Sequence, residues 1–385
     1  MSSVSGWLGG IFFVLAAIGC IYLAAALVLV RRFLARRPPP LPTPAPSITV
    51  LKPLFGVEPQ LEACLGSLGE QDYPAPYEIV LGLQDPADPA AAAAERLAAA
   101  FPAQAIALRV DRTVHGTNRK VSNLINMARH IHHGVVVLAD SDIAVGRHYL
   151  ATTAAALAAP GAGAVTWLYY GLPGRGPWAA LAALGIDAHF LPNVMVGVAT
   201  GLAHPCLGST VALRRETLEA IGGFQAVADD LADDYALGAK VRGQGGRVDL
   251  APGLVGHACD EAGLGELLRH ELRWARTIRT VDPLGHAGAV VTHPAALALI
   301  GIACGSFACL PLLALALALR AAIVATVARA AGTGLARLWL LPVRDVLSFA
   351  VFLWSFLGSA ISWRGEDFQV RADGTLARDR SIPLR

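Results

Sequence analysis

The sequence predicts an α/β domain, built on a mostly parallel sheet with helices on both faces and flanked by membrane-spanning helices. Three observations predict it. Short apolar, β-branched runs alternate with helix-like stretches between residues 47 and 142. The composition is unusually apolar, with 55% hydrophobic and 16% charged residues, where a soluble domain carries about a quarter charged. Long uncharged runs stand on either side of the stretch that holds nearly all the acids.

The first apolar run, Trp7 to Val30, has no charged residue and is long enough to cross a bilayer, which takes about 20 residues. Arg31, Arg32, Arg36 and Arg37 follow it. The positive-inside rule keeps them cytoplasmic, so the N-terminus points outward. A cleaved signal peptide would carry its basic residues before the apolar run. Pro38 to Pro46 cannot be helical and reads as a stiff, extended linker.

A globular domain is expected over residues 47–290. Its first strand, Ser47 to Leu51, ends at Lys52-Pro53. Glu58 to Gln71 reads as a helix, with Leu61, Leu65 and Leu68 on one face. Glu78 to Leu83 is the second strand and ends at Gln84-Asp85. A helix over Ala90–Ala100, a strand over Ala105–Val110 and a helix over Val121–His130 follow. Gly134 to Ala139 is a fully apolar strand that ends at Asp140-Ser141-Asp142. Such alternation predicts a parallel sheet. Ligands bind beyond the carboxyl ends of its strands, where Lys52, Asp85 and Asp140 stand.

Residues 295–363 form a second membrane region of two or three segments. Ala295–Leu319 and Val346–Trp363 are uncharged and can span. Arg320, Arg329, Arg337 and Arg344 lie between them, and an arginine-bearing tail occupies residues 364–385. That tail and the loop after Leu319 both have cytoplasmic character. Both can be cytoplasmic only if another span hides around Ser306–Ala328 or one segment lies in the interface.

The chemistry-bearing residues are mostly acids. Two carboxylates one residue apart at a strand end, Asp140 and Asp142, can reach a hard cation such as Mg²⁺ or Mn²⁺. That cation would neutralise a nucleotide diphosphate leaving group; a solvated turn is the plain alternative. Asp85 and Asp88 sit in a rigid Pro-rich turn. Asp229, Asp230, Asp233 and Asp234 crowd six residues before a helix. Capping explains some of them, and one could be a general base with a raised pKa.

Lys120, in Asn118–Asn123, can approach phosphates. Arg273, in the stretch His270–Trp274, can grip a diphosphate, and Trp274 can stack on a sugar or acceptor. The same stretch also reads as a basic amphipathic helix on a membrane surface. Pro177–Cys206 is apolar and reads either as an acceptor-facing surface or as a buried helix. The six cysteines have no metal or redox spacing, which suits a reducing compartment. With a net charge of +2, nucleic acid is not an expected partner.

The order of the motifs is more specific than any one of them. Lys52-Pro53, then QDPADP, NRKVSN, DSD, ADDYALG and ELRW, flanked by apolar segments, resembles the ceramide glucosyltransferase-like (family 21-like) glycosyltransferases of the GT-A fold. The resemblance runs from about residue 10 to 375. GTNRKVSNLINM, ADSDI and HELRWART look closest to the hopanoid-biosynthesis branch.

The resemblance implies an inverting enzyme that moves N-acetylglucosamine from a UDP-sugar donor to a membrane lipid acceptor such as bacteriohopanetetrol. It would use Mn²⁺ or Mg²⁺, in a bacterial inner membrane, with a cytoplasmic catalytic domain. Asp85 or Asp88 corresponds to the base-contacting aspartate, Asp140 and Asp142 to the metal and diphosphate motif, and Asp234 to the catalytic base. Arg273 and Trp274 match the family's RW pair, with His270 where the family has Gln or Arg. Lys52 and Lys120 are further donor-side candidates. The alternatives are a ceramide glucosyltransferase using UDP-glucose, a polysaccharide synthase, and a membrane-tethered scaffold without catalysis.

Overall fold

The protein is described by a computed structural model that covers residues 2–358, 360–363, 366–370 and 376–378. The first apolar run folds as one long helix, α1 (Ser2–Leu34). The alternating region follows as β1 (Ile48–Pro53), α2 (Leu61–Gly69), β2 (Tyr77–Leu83), α3 (Ala90–Ala100), β3 (Ala105–Val110), α4 (Arg119–Ala128) and β4 (Val135–Ala139). Next come β5 (Ile143–Ala144), α5 (Tyr149–Leu157), β6 (Ala162–Pro173), α6 (Pro177–Gly185) and α7 (Leu191–Thr200). Then follow β7 (Thr210–Arg214), α8 (Arg215–Ala220), α9 (Asp233–Gly243), β8 (Arg247–Cys259) and α10 (Leu264–Val281). The last helices are α11 (Pro283–Gly288), α12 (Pro294–Ala303), α13 (Cys309–Ala331) and α14 (Leu341–Ser355), and then β9 (Ala360–Trp363) and β10 (Glu366–Val370) pair antiparallel.

These elements group into two compact units that do not follow linear order. One comprises Arg36–Gly174, Pro205–Asp260 and Gly374–Arg385, and the other Met1–Ala35, Arg175–His204 and Glu261–Asp373. Residues 175–204 and 261–290, placed by sequence within the globular stretch, therefore cluster with the apolar helices.

The first unit is built on an eight-stranded sheet of order β3-β2-β1-β4-β7-β6-β8-β5. β1, β2, β3 and β4 run parallel. β7 is antiparallel to β4 and β6, β8 returns parallel to β6, and β5 closes the far edge antiparallel to β8. The fold is thus α/β, on a mixed sheet whose first half is parallel, as the strand–helix alternation predicts. β1 and β4 are buried along their whole lengths, as an unbroken apolar run must be when both sheet faces are covered. The edge strand β3 exposes its ends.

Helix α4 covers one face so closely that Lys120 to Met127 are all buried. Gly82 in β2 permits this. A Cβ there would stand 2.6 Å from Asn123 Oδ1, an oxygen whose partner Nδ2 donates to the Gly82 carbonyl at 2.8 Å. Leu51, Val80, Leu124, Leu138, Val211, Phe224 and Leu237 form the core between α4, α9 and the sheet. Truncating a leucine such as Leu124 to alanine costs about 2–5 kcal/mol.

In the second unit α1 packs against α7, α12 and α13, and Tyr22 OH donates to Asn193 Oδ1 at 2.7 Å. Among the described residues, four helices are long and apolar enough to cross a membrane: Gly6–Leu34, Pro177–Thr200, Cys309–Ala331 and Leu338–Ser355. A bent pair, Pro283–Thr292 with Pro294–Ala303, turns by 63°.

Two expected segments are corrected here. Ala295–Leu319 is not one helix, because the chain turns through Gly305, whose φ of 92° suits glycine alone, between α12 and α13. Val346–Trp363 is not one helix either: α14 stops at Ser355, Gly358 takes a φ of 90°, and Ala360–Trp363 is extended. A candidate span does stand near Ser306–Ala328: it is α13, of the same length and shifted by three residues. Most of the 364–385 tail lies outside the described residues.

Candidate active site

Four chain segments of the sheet unit converge at the carboxyl ends of β1 and β4. The β4 end contributes Asp140 and Asp142. α4 contributes Lys120 from its first turn, where Asn118 caps the helix by accepting from Val121 N at 3.1 Å. α9 begins with Asp233 and Asp234. The β6–β7 connection contributes Gly208.

Lys120 joins these segments. Its Nζ is 2.7 Å from Asp140 Oδ1 and 3.2 Å from Asp233 Oδ2. Burial alone would favour the neutral amine, but Asp140, Asp233 and Asp234 together push its pKa up, so it stays charged. Its ammonium is therefore engaged by two carboxylates of the cluster.

The run of four acids divides its labour. Asp229 Oδ1 accepts from Thr117 N and Oγ1 at 2.8 and 2.9 Å, and Asn118 donates to the Asp230 carbonyl at 2.8 Å. These bonds fasten the 229–230 turn to the entry of α4. Asp233 is buried against Lys120. Asp234 remains, with Oδ1 accepting from Tyr235 N at 2.8 Å. Burial and then the neighbouring Asp233 raise its pKa to about 7, against the pull of Lys120. A carboxyl poised there can exchange a proton near neutrality.

Gly208 lies against both Asp234 and Asp140. A Cβ on it would stand 3.1 Å from Asp234 Oδ2 and 3.2 Å from Asp140 Oδ2. The two carboxylates thus face the same small space, which only the missing side chain leaves open.

The second acid of the DSD run is tied elsewhere. Asp142 Oδ2 is 3.4 Å from His257 Nε2, and the Asp142 carbonyl accepts from Ala258 N at 2.8 Å. His257 stacks on Tyr169 with ring centroids 5.3 Å apart. Ser141 Oγ donates to Glu58 Oε1 at 3.4 Å, and burial and Asp142 push the Glu58 carboxyl to about 7. Neither His257 nor Glu58 was singled out in the sequence; no local spacing connects either to Asp142, which they approach only through the sheet and the β1–α2 loop.

Lys52 differs from its expected donor-facing placement. Its side chain is 0% exposed, and its Nζ donates to the Ile143 carbonyl at 2.9 Å. Burial lowers its pKa, opposed by Cys64, Asp142, Asp140 and Glu58. It supports the DSD loop from inside the fold. The two aspartates of QDPADP also separate. Asp88 accepts from Gly56 N at 3.0 Å and Ala90 N at 2.9 Å, bracing the loop after β1 and the start of α3. Asp85 is exposed, 3.4 Å from Arg112.

Arg273 and Trp274 lie on α10, in the helical unit. Trp274 meets His270 edge-on, with centroids 4.5 Å apart, and Phe190 at 6.2 Å. His270 Nδ1 is 2.8 Å from Glu261 Oε1. His270 thus bridges Glu261 and the Trp274 ring.

The sequence model of glycosyl transferase family 21 matches residues 11–376. The chain belongs to glycosyl transferase family 21. It is therefore an enzyme, a glycosyltransferase. Among curated relatives, a ceramide glucosyltransferase of Komagataella phaffii is 34% identical over 100 residues, which cover 25% of this chain and 19% of that protein. A ceramide glucosyltransferase of Gibberella zeae is 29% identical over 153 residues, 35% of this chain and 28% of that protein. The matched segments thus span 19% and 28% of those relatives' lengths. Among solved structures, the mannosyltransferase PcManGT from Pyrobaculum calidifontis, in complex with GDP-Man and Mn²⁺, aligns with a TM-score of 0.50 at 23% identity. The alignment covers 91% of this chain and 99% of that one. This likeness identifies the sheet unit of the family 21 enzyme as GT-A-like.

The acid cluster of the family 21 chain is the candidate seat for a divalent ion such as the Mn²⁺ bound in the PcManGT complex. Among the described residues no group of three His, Cys, Asp or Glu side chains is set to hold a metal by itself. Asp142 Oδ1, however, is buried without a hydrogen-bond partner, and Asp140 offers carboxylate oxygen beside it. An all-oxygen, partly complete donor set suits a hard cation that takes its remaining ligands from phosphate.

Proposed function

We propose that this family 21 enzyme transfers a sugar from a UDP-linked donor to a hydroxyl of a membrane lipid with inversion at the anomeric carbon. The observation that carries the proposal is the pairing of Asp234 and Asp140 across Gly208. One carboxyl with a pKa of about 7 and one strand-end carboxylate face a single space.

In this reading Asp234 accepts the proton of the acceptor hydroxyl. The freed oxygen attacks the anomeric carbon from the face opposite the nucleotide, and the bond to the diphosphate breaks with inversion. Asp140 and Asp142, with His257 adjacent, would hold Mn²⁺ or Mg²⁺, which when bound offsets the negative charge of the departing diphosphate. Lys120 holds Asp140 and Asp233 in register and keeps the cluster from carrying unbalanced negative charge. Asp85, the exposed aspartate of its pair, is the one free to meet the nucleotide base. Arg273 is assigned to the diphosphate and Trp274 to the sugar or acceptor. Lys52 acts on the donor only through the loop it supports.

The candidate spans and the family support a lipid acceptor. The GTNRKVSNLINM, ADSDI and HELRWART stretches favour a hopanoid such as bacteriohopanetetrol and N-acetylglucosamine as the sugar, at the cytoplasmic face of a bacterial inner membrane. The domain plan is a residue 7–30 anchor, a 38–46 linker, a catalytic region within 47–290 and a membrane region over 295–363. A second reading, glucose transfer from UDP-glucose to ceramide, is favoured by the two curated relatives.

The test is a donor-by-acceptor assay on the full chain in membranes. It pairs labelled UDP-N-acetylglucosamine or UDP-glucose with bacteriohopanetetrol or ceramide, with and without Mn²⁺ or Mg²⁺. Metal-dependent labelling of the hopanoid is the expected result. Labelled ceramide would move the enzyme to the second reading. No labelled lipid from folded protein would overturn lipid glycosylation.

A further inference from the structure

The helical unit buries an ionic network that the transfer chemistry does not use. Arg320 lies halfway along α13, a candidate span, and is 0% exposed. Its Nη1 donates to the Ala188 carbonyl and its Nη2 to the Thr292 carbonyl. Its Nε is 3.2 Å from Asp345 Oδ1 on α14, and His189 Nε2 is 2.8 Å from the same oxygen. His293 stacks on His189, with centroids 5.7 Å apart.

The two carbonyls that Arg320 meets stand at the two irregular points of the apolar helices. Ala188 is the centre of a π-helical turn, Ile186–Phe190, between α6 and α7. Thr292 precedes the His293-Pro294 break, where the paired helices bend by 63°. Pro192 has no N–H to give the Ala188 carbonyl four residues before it, a π-turn displaces the carbonyls of its neighbours, and Thr292 ends the short turn before the break. In hydrocarbon a backbone group without a partner is costly, so irregular backbone survives there only where protein satisfies it. A guanidinium, with five donors in a fixed fork, can serve two carbonyls and a carboxylate at once. Asp345 then balances the charge.

We infer that Arg320 is a positioning residue: it clamps the π-turn of residues 186–190 to the break at residues 292–294, with Asp345 balancing its charge and His189 held on the same carboxylate oxygen, and so sets the membrane-side shape that receives the acceptor. The acceptor part rests on the lipid-acceptor reading above; the clamp itself does not.

The test uses the full chain in phosphatidylethanolamine–phosphatidylglycerol nanodiscs, comparing wild type with Arg320→Lys and Asp345→Asn. Lysine keeps the charge but cannot fork to two carbonyls. Amide hydrogen exchange is followed along the chain, and KM is measured separately for donor and lipid. The expected result is exchange faster by about tenfold confined to residues 186–190 and 289–294, with a higher lipid KM and an unchanged donor KM. Unchanged exchange in both folded variants would overturn the clamp. So would a uniform rise over all helices, which marks a merely structural residue. Equal shifts of both KM values would overturn the link to the acceptor. Should wild type label no lipid, the lipid reading falls, and the exchange pattern still decides the clamp.

Discussion

The Lys120 ammonium lies 2.7 Å from Asp140, the carboxylate at the end of β4 that opens the DSD run, and reaches Asp233 on α9 at 3.2 Å. One buried cation thus ties the end of β4 to the start of the helix that carries Asp234. Lys120→Met leaves the buried Asp233 and the half-buried Asp140 without their counter-charge. The expected loss of stability is about 3–5 kcal/mol, read as a lower thermal midpoint of the detergent-purified chain. A midpoint equal to wild type would show that the acids do not depend on this lysine.

Asp234→Asn is expected to lower kcat by about a hundredfold to ten-thousandfold, the usual contribution of a positioned base, with little change in donor KM. An unchanged kcat would remove Asp234 from the reaction.

The pH dependence follows from the same residue. Asp234 must be ionised to accept a proton, so kcat should rise with pH through about 7. Its effect on stability has the opposite sense. A carboxyl whose pKa is raised from 3.8 to about 7 by folding holds a proton that the unfolded chain has lost, so stability falls as pH rises from about 4 to about 7. Asp234→Asn removes that penalty. Its thermal midpoint should exceed that of wild type more at pH 8 than at pH 4, and equal differences at both would contradict the burial argument.

Gly208→Ala places a methyl 3.1–3.2 Å from the Asp234 and Asp140 oxygens. The expected result is a fall in kcat on the order of tenfold or more, because the shared space is where reacting atoms must fit. The midpoint should move little. Full activity in the alanine variant would place the reaction elsewhere.

His257→Ala removes the imidazole beside Asp142. The Mn²⁺ concentration for half-maximal activity should rise by about tenfold or more, with the maximal rate at saturating metal less affected. An unchanged metal requirement would leave His257 a packing partner of Tyr169.

Much of the fold was legible in local pattern. Val135–Ala139 reads as a buried strand because five apolar residues stand in a row, and Ala90–Ala100 reads as a helix because alanine leads the helix propensities. The site was legible as types of residue: Asp140, Asp142, Asp234 and Lys120 were all visible. Their division of labour was not. Nothing in QDPADP says that Asp88 braces Gly56 while Asp85 stays exposed, and nothing in VLKP says that Lys52 turns inward to the Ile143 carbonyl. The breaks in the apolar helices were also illegible, since hydropathy runs straight through Gly305.

The sequence by itself determined the strand–helix order, the apolar stretches and the presence of three acidic motifs, because periodicity, composition and turn chemistry act over a few residues. Only the tertiary structure decided that Lys120 joins Asp140 to Asp233, that His257 meets Asp142, and that Arg320 serves the Ala188 and Thr292 carbonyls. Each of those pairings spans from 20 to more than 130 positions of chain. Burial makes each of them matter: a charge or carbonyl taken out of water must find its partner wherever the packed chain brings one.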